Sequence, residues 1–139
     1  MAETTRLVDY YYTMVPDKAG EGARVLRVLR DARVNLLAFH AFPSQRKSQA
    51  DFVPADPAAF VAAAKAAKLK LKGPKKTFLI EGDDRVGALA DVLAKLGAVK
   101  VNVTAVDAVC SGTGRYGALL WVKAKDLKKA AAALGVMMM

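Results

Sequence analysis

The chain carries one motif twice. Residues Asp17 to Ser44 return at a fixed offset of 67 as Asp84 to Ser111, without a gap and with 11 of 28 aligned positions identical. The shared positions are of two kinds. Val25/Val92, Leu26/Leu93, Leu29/Leu96 and Val34/Val101 are apolar, whereas Asp17/Asp84, Gly20/Gly87 and Asn35/Asn102 are polar or glycine. A fixed offset marks two copies of one structural unit. Whatever the first copy folds into, the second must also form. A unit of 67 residues buries a smaller share of its surface than a larger domain does, so copies dividing at residues 1–73 and 74–139 are expected to lean on each other.

Periodicity gives each copy the same order of elements. Leu7 to Val15, rich in tyrosine and β-branched residues, reads as a strand that ends in the turn-forming Pro16-Asp17-Lys18-Ala19-Gly20. A helix follows, clearest in the second copy, where Leu89, Val92, Leu93 and Leu96 recur at i, i+3, i+4 and i+7. Strands are expected at Asn35 to Phe42 and Gln49 to Val53, and again at Val101 to Val109 and Tyr116 to Val122. Asp56-Pro57 places a capping side chain before a proline at the first helical position, predicting a helix over Ala58 to Lys68. Leu127, Ala130, Ala131 and Leu134 repeat that helix. Leu69 to Leu71 could close the first sheet, and only Val136 to Met139 remain to close the second. Strand, helix, strand, strand, helix is the split βαβ arrangement: an α+β, ferredoxin-like βαββαβ unit with an antiparallel sheet and its helices on one face. Leu36, Leu37, Ala38 and Phe39 are apolar on both sides of their strand. Something is therefore expected to cover the other face, either the second copy or a second chain.

Composition narrows the class. Hydrophobic residues make up 54% of the chain, which excludes disorder, and no apolar run approaches the length of a bilayer span. The N-terminus lacks the basic-then-apolar order of a secretory signal. One cysteine permits neither a disulfide framework nor a cysteine metal cluster, and fits a reducing cytoplasm. The net charge of +9 includes Lys65, Lys68, Lys70, Lys72, Lys75 and Lys76 around the junction of the copies. Without interleaved aromatics that cluster reads as a solvated surface, and it argues against nucleic acid as a partner.

With the repeated residues in view, the chain resembles the ACT domain family of small ligand-binding regulatory modules. The resemblance rests on Val15-Pro16-Asp17-Lys18-Ala19-Gly20 with Arg33-Val34-Asn35-Leu36, and on Asp84-Arg85-Val86-Gly87 with Lys100-Val101-Asn102-Val103. Ala19 and Val86 stand where the family pattern has proline, and Arg33 and Lys100 where it has glycine. The resemblance implies two ACT-type units in a stand-alone regulatory protein. It also implies effector contacts at the positions of Asp17, Asn35, Asp84 and Asn102, generally across an interface between two domains.

The chemistry of those residues suits an amino-acid zwitterion. A helix N-terminus offers unpaired N–H groups to a carboxylate, and Gly20 and Gly87 let backbone come close to a ligand. Asp17 and Asp84 can accept from an ammonium group, while Asn35 and Asn102 offer both donor and acceptor. The plainer alternative is that the aspartates cap helices and the asparagines tie loops to strands. His40 and Trp121 read as interior or interface residues, and Cys110 as a small packed hydrophobe. Ser111 to Gly117 reads as a hairpin and not a phosphate loop, since no Lys-Ser/Thr ending or helix follows.

The expected function is binding of an amino acid or related small metabolite for regulation. No nucleophile–base pair, metal set or cofactor motif can be assembled, so no enzyme, metal or cofactor is expected. A cytoplasmic homodimer without membrane contact is expected, because exposed apolar sheet surface in a small protein usually marks an interface. The competing function is a basic ferredoxin-like module binding nucleic acid, and a third reading is a structural dimer module with an empty site.

Overall fold

The computed structural model describes residues 3–138. Its elements run β1 (Thr4–Pro16), α1 (Glu21–Asp31), β2 (Leu36–Ser44), β3 (Lys47–Pro54) and α2 (Pro57–Ala66), then β4 (Lys72–Asp83), α3 (Ala88–Ala98), β5 (Val103–Cys110), β6 (Arg115–Val122) and α4 (Leu127–Ala133). The chain forms two compact units, one of residues 9–75 and the other of residues 1–8 with 76–139. Both are α+β and ferredoxin-like, as the order of elements predicts.

In residues 9–75 the strand order is β2-β3-β1-β4, with β1 antiparallel to β3 and β3 antiparallel to β2. Tyr11, Val15, Ala50 and Phe52 of the sheet pack with Val25, Leu29 and Phe60 of α1 and α2. The Phe60 ring stands 5.2 Å from Tyr11 and 5.3 Å from Phe52, within the range where tilted aromatic pairs attract. Asp56 Oδ1 accepts from the Ala59 N–H at 3.2 Å, with Pro57 at the first helical position, as expected. The closing strand differs from expectation. Leu69 and Leu71 pack against the core but are not a strand, and β4 begins only at Lys72. At Gly73, with φ +121°, a side chain would meet the Tyr10 carbonyl oxygen at 2.9 Å, so only glycine lets β4 approach β1 there.

In the other unit the order is β5-β6-β4-β1. Phe78, Ile80, Tyr116, Ala118 and Leu120 of the sheet pack with Val92 and Leu96 of α3 and with Ala130 and Ala131 of α4. Val136 to Met138 form no strand, and Met139 lies outside the described residues. The fourth strand is instead Thr4 to Val8, the start of β1. Leu7 packs on this core, and Glu3 just before the strand accepts a 2.6 Å hydrogen bond from the Tyr116 hydroxyl. Burial and this bond to Glu3 push the Tyr116 phenol up to about 12.

All four helices end alike. The residue after the last turn takes a left-handed conformation: Arg33 (φ 59°), Lys68 (φ 60°), Lys100 (φ 60°) and Gly135 (φ 75°). The next N–H then reaches back to the helix, Val34 to Leu29, Leu69 to Ala64, Val101 to Leu96 and Val136 to Ala131, at 2.8–3.0 Å. This is the Schellman arrangement, and each of those four apolar residues packs into its core. Only Gly135 meets the turn with the residue type it favours.

Two outcomes test this account. Residues 74–139 alone lack Leu7 and Glu3, so that fragment is expected to melt without the cooperative transition of the intact chain in circular dichroism. A sharp transition in the fragment would show that Thr4 to Val8 are dispensable. Separately, Lys100→Gly relieves a left-handed side-chain clash worth about 1–2 kcal/mol, partly offset by the chain entropy of glycine. The variant is expected to gain up to about 1 kcal/mol in urea denaturation, and a loss of stability would refute the reading of that turn.

Candidate functional site

The helix starts are built from left-handed glycines. Gly20 (φ 89°) precedes α1 and Gly87 (φ 75°) precedes α3, and neither helix has a side-chain cap. Asp17 and Asp84 therefore do not cap these helices. Asp17 Oδ1 accepts from the Ser48 hydroxyl at 3.3 Å. Asp84 is fixed through its backbone, whose N–H donates to the Gly114 carbonyl at 2.9 Å. Its carboxylate lies beside the Cys110 thiol, which that contact pushes up from its ordinary range.

A cavity of about 300 Å³ opens beside the start of α3. It is lined by Asp84, Arg85, Cys110 and Tyr116 together with Gly87 and apolar residues such as Ala108 and Val109. The turn's own hydrogen bonds use the N–H groups of Ala88, Ala90 and Asp91. Gly87 lines the cavity at the positive end of the helix, a setting that attracts a carboxylate. Arg85 is held at the rim by Asp91, Nη2 to Oδ2 at 2.7 Å.

The structure brings Asp84 and Gly87 together but not Asn102. Asn102 precedes β5 and is exposed, while the cavity lies at the far end of that strand beside Cys110. Eight residues of strand separate them, roughly 25 Å. In the first copy Asn35 likewise precedes β2 at the end where Leu36 pairs with Pro54, whereas Asp17 follows β1 at the end where Pro16 pairs with Lys47. The Asn35 carbonyl accepts from the Ala55 N–H at 3.0 Å. Within one unit, the aspartate turn and the asparagine mark opposite ends of the sheet.

Other sequence readings resolve variously. Trp121 is buried, and Ser111 to Gly114 form the turn between β5 and β6. The six junction lysines are exposed. Cys110 is exposed and lines the cavity, contrary to its expected role as a packed hydrophobe, because β5 exposes most of its residues.

One residue escaped the sequence reading altogether. Asp51 is 6% exposed in the middle of β3. It pairs across strands with Tyr12 on β1 and His40 on β2, and Gln49 Nε2 donates to its Oδ1 at 2.9 Å. Lys75 Nζ lies 5.2 Å from the centre of the Tyr12 ring. The corresponding row in the second copy is Leu79, Leu119 and Asp107, so the first copy replaces two apolar side chains with polar ones. The signal was present as a lone acid in an otherwise apolar run, Ala50-Asp51-Phe52-Val53.

No family model matches the sequence, and neither does any curated protein. Solved structures do match. A protein of Bacteroides thetaiotaomicron has a TM-score of 0.82 at 18% identity, over 94% of this chain and 88% of that one. The ligand-free regulatory subunit of aspartate kinase from Thermus thermophilus has a TM-score of 0.67 at 14% identity, over 97% and 96%. The Thermus flavus regulatory subunit of aspartate kinase gives 0.61 at 14% identity, over 97% and 95%. The likeness is one of fold. It supports the ACT-type architecture that the repeated motifs imply.

The buried carboxylate has a consequence for stability. Burial raises the Asp51 carboxyl above its ordinary value, against the lowering effects of Gln49, His40 and Lys75. The folded state thus holds this proton more tightly than the unfolded state, and stability is lost as pH rises through the raised value. Asp51→Asn is expected to melt higher than the parent at neutral pH, with the gap closing as pH falls toward about 4. A gap that widens in acid would show the opposite sign.

Proposed function

We propose that the chain is a regulatory module that binds an amino acid or a closely related small metabolite at the glycine turns before α1 and α3. The observation that carries this reading is the second turn. There a left-handed Gly87 bares a helix start toward a cavity of about 300 Å³, with the Asp84 carboxylate at its edge. A zwitterion needs an anion acceptor for its ammonium and N–H donors for its carboxylate, and the turn offers both within one small space. In this reading Asp84 and Asp17 receive the ammonium group, and the backbone at Gly87 and Gly20 receives the carboxylate.

Asn102 and Asn35 stand at the far ends of their sheets, so they serve a ligand held by a neighbouring domain. A homodimer supplies such a neighbour. Leu37 at 44% and Phe39 at 40% exposure on the edge strand β2 give that association apolar surface to bury. Regulation then follows from mass action, because a ligand bound at the interface favours the assembled form. The exposed Cys110 thiol fits the reducing cytoplasm as the place of action.

Thermal shift of the intact protein against the common amino acids tests the reading, and calorimetry then quantifies any ligand found. Asp84→Ala and Asn102→Ala are expected to weaken that ligand by about 1–3 kcal/mol, the cost of losing a charge-assisted or buried hydrogen bond. Neither side chain caps a helix, so the melting temperature without ligand should hardly move. Unchanged affinity with lowered melting temperature would show that these side chains serve stability instead.

A further inference from the structure

We propose that α1 is a docking surface for a short acidic patch on another protein. Four of the chain's eight arginines fall within ten residues, at Arg24, Arg27, Arg30 and Arg33. All four are exposed, while Val25 and Leu29 bury the other side of the helix. Steps of three residues turn each side chain by about 60° from the last, so Arg24, Arg27 and Arg30 spread over one broad face about 9 Å long. No lysine stands in this helix, although lysine is the commoner cation of the chain. Arginine is the cation favoured at interfaces, because its planar fork grips a carboxylate by two hydrogen bonds and sheds water more readily than an ammonium group.

The fold does not require the stripe. At the repeat offset, Asp91, Ala94, Gly97 and Lys100 hold the same positions on α3 and just after it, and Val92 and Leu96 bury that helix all the same. Four arginines give the first copy +4 at these positions, whereas Asp91 and Lys100 cancel in the second. The neighbours of the stripe decide the partner. Glu21 pairs with Arg24 at 3.3 Å and Asp31 with Arg30 at 3.1 Å, so an acid stands at each end. Arg27, between them, has no ion pair among the described residues. A nucleic-acid strand or a lipid surface extends beyond one helix and meets those acids, and α1 has no aromatic ring on which a base could stack. A second copy fits no better, since antiparallel α1 helices centred on Arg27 would set it against itself and Arg24 against Arg30. A protein that presents a few carboxylates within about 9 Å meets the arginines and stops short of the acids. None of these arginines is among the residues given above to ligand or dimer contacts.

Fluorescence anisotropy of the intact chain with a labelled peptide rich in aspartate and glutamate is the test. Binding is expected at low salt and should weaken as salt rises, as exposed charge pairs do. Arg24→Gln, Arg27→Gln and Arg30→Gln together keep a good helix former at each position and are expected to weaken the peptide by about tenfold. Lys125→Gln, Lys128→Gln and Lys129→Gln together remove the same charge from exposed positions at and before α4, and should weaken it by less than about twofold. Circular dichroism is expected to show both variants melting as the parent does. Arg27→Gln alone, with an expected loss of about threefold, carries the test if the triple variant melts early. No binding of the peptide at low salt, or an arginine variant that loses no more than the lysine variant, would overturn the proposal. So would labelled single-stranded RNA or phosphatidylserine vesicles held more tightly than the peptide.

Discussion

Everything in the second unit depends on a strand that precedes the first. Residues Thr4 to Val8 close the β5-β6-β4 sheet, Leu7 extends its core, and Glu3 receives the Tyr116 hydroxyl. Tyr116 in turn lies so close to Gly82 that a side chain there would meet its ring at 2.7 Å. One edge of the candidate cavity is therefore fixed by residues from the other end of the chain. After α4 the described residues Val136 to Met138 form no strand. Taking the strand from the N-terminus satisfies the open edge of β4, which would otherwise present unpaired backbone groups.

A second constraint shapes the helices. Left-handed residues stand before α1 and α3 and after all four helices. At the helix ends this conformation satisfies carbonyls and turns an apolar residue inward, so its task is structural. At the helix starts, at Gly20 and Gly87, nothing comes within 4 Å of where a side chain would be. Glycine there answers to backbone conformation and not to crowding, and the space beside it stays open. The same local geometry thus closes a helix at one end and leaves its first turn open at the other.

Much of this was legible in the residues. The offset of 67, the apolar stripes and Asp56-Pro57 identified the elements to within a few positions, because periodic burial and capping are local properties. The closing strands were not legible, since which segment pairs with a sheet edge is decided by tertiary packing. Arg33 and Lys100 read as departures from a glycine pattern, yet the backbone there is left-handed all the same. The turn geometry outlasts the residue it prefers. Cys110 was misjudged because an edge strand alternates weakly, with neither face fully covered, and Asp51 was missed because a single acid hardly alters a strand pattern.

The differences between the copies now have a physical pattern. Positions that set backbone geometry agree: Gly20 with Gly87, Arg33 with Lys100, Val34 with Val101. Positions at the helix starts and on the helix-free side of the sheet diverge, as Glu21 does from Ala88 and Tyr12 from Leu79. A duplicated fold keeps its turns because each is needed twice, whereas side chains that no turn or core requires can change. The first copy has placed a buried acid, a histidine and a tyrosine in one row across its sheet at a cost in stability, while the second keeps leucines at two of those positions. That divergence lies in side chains rather than in the path of the chain.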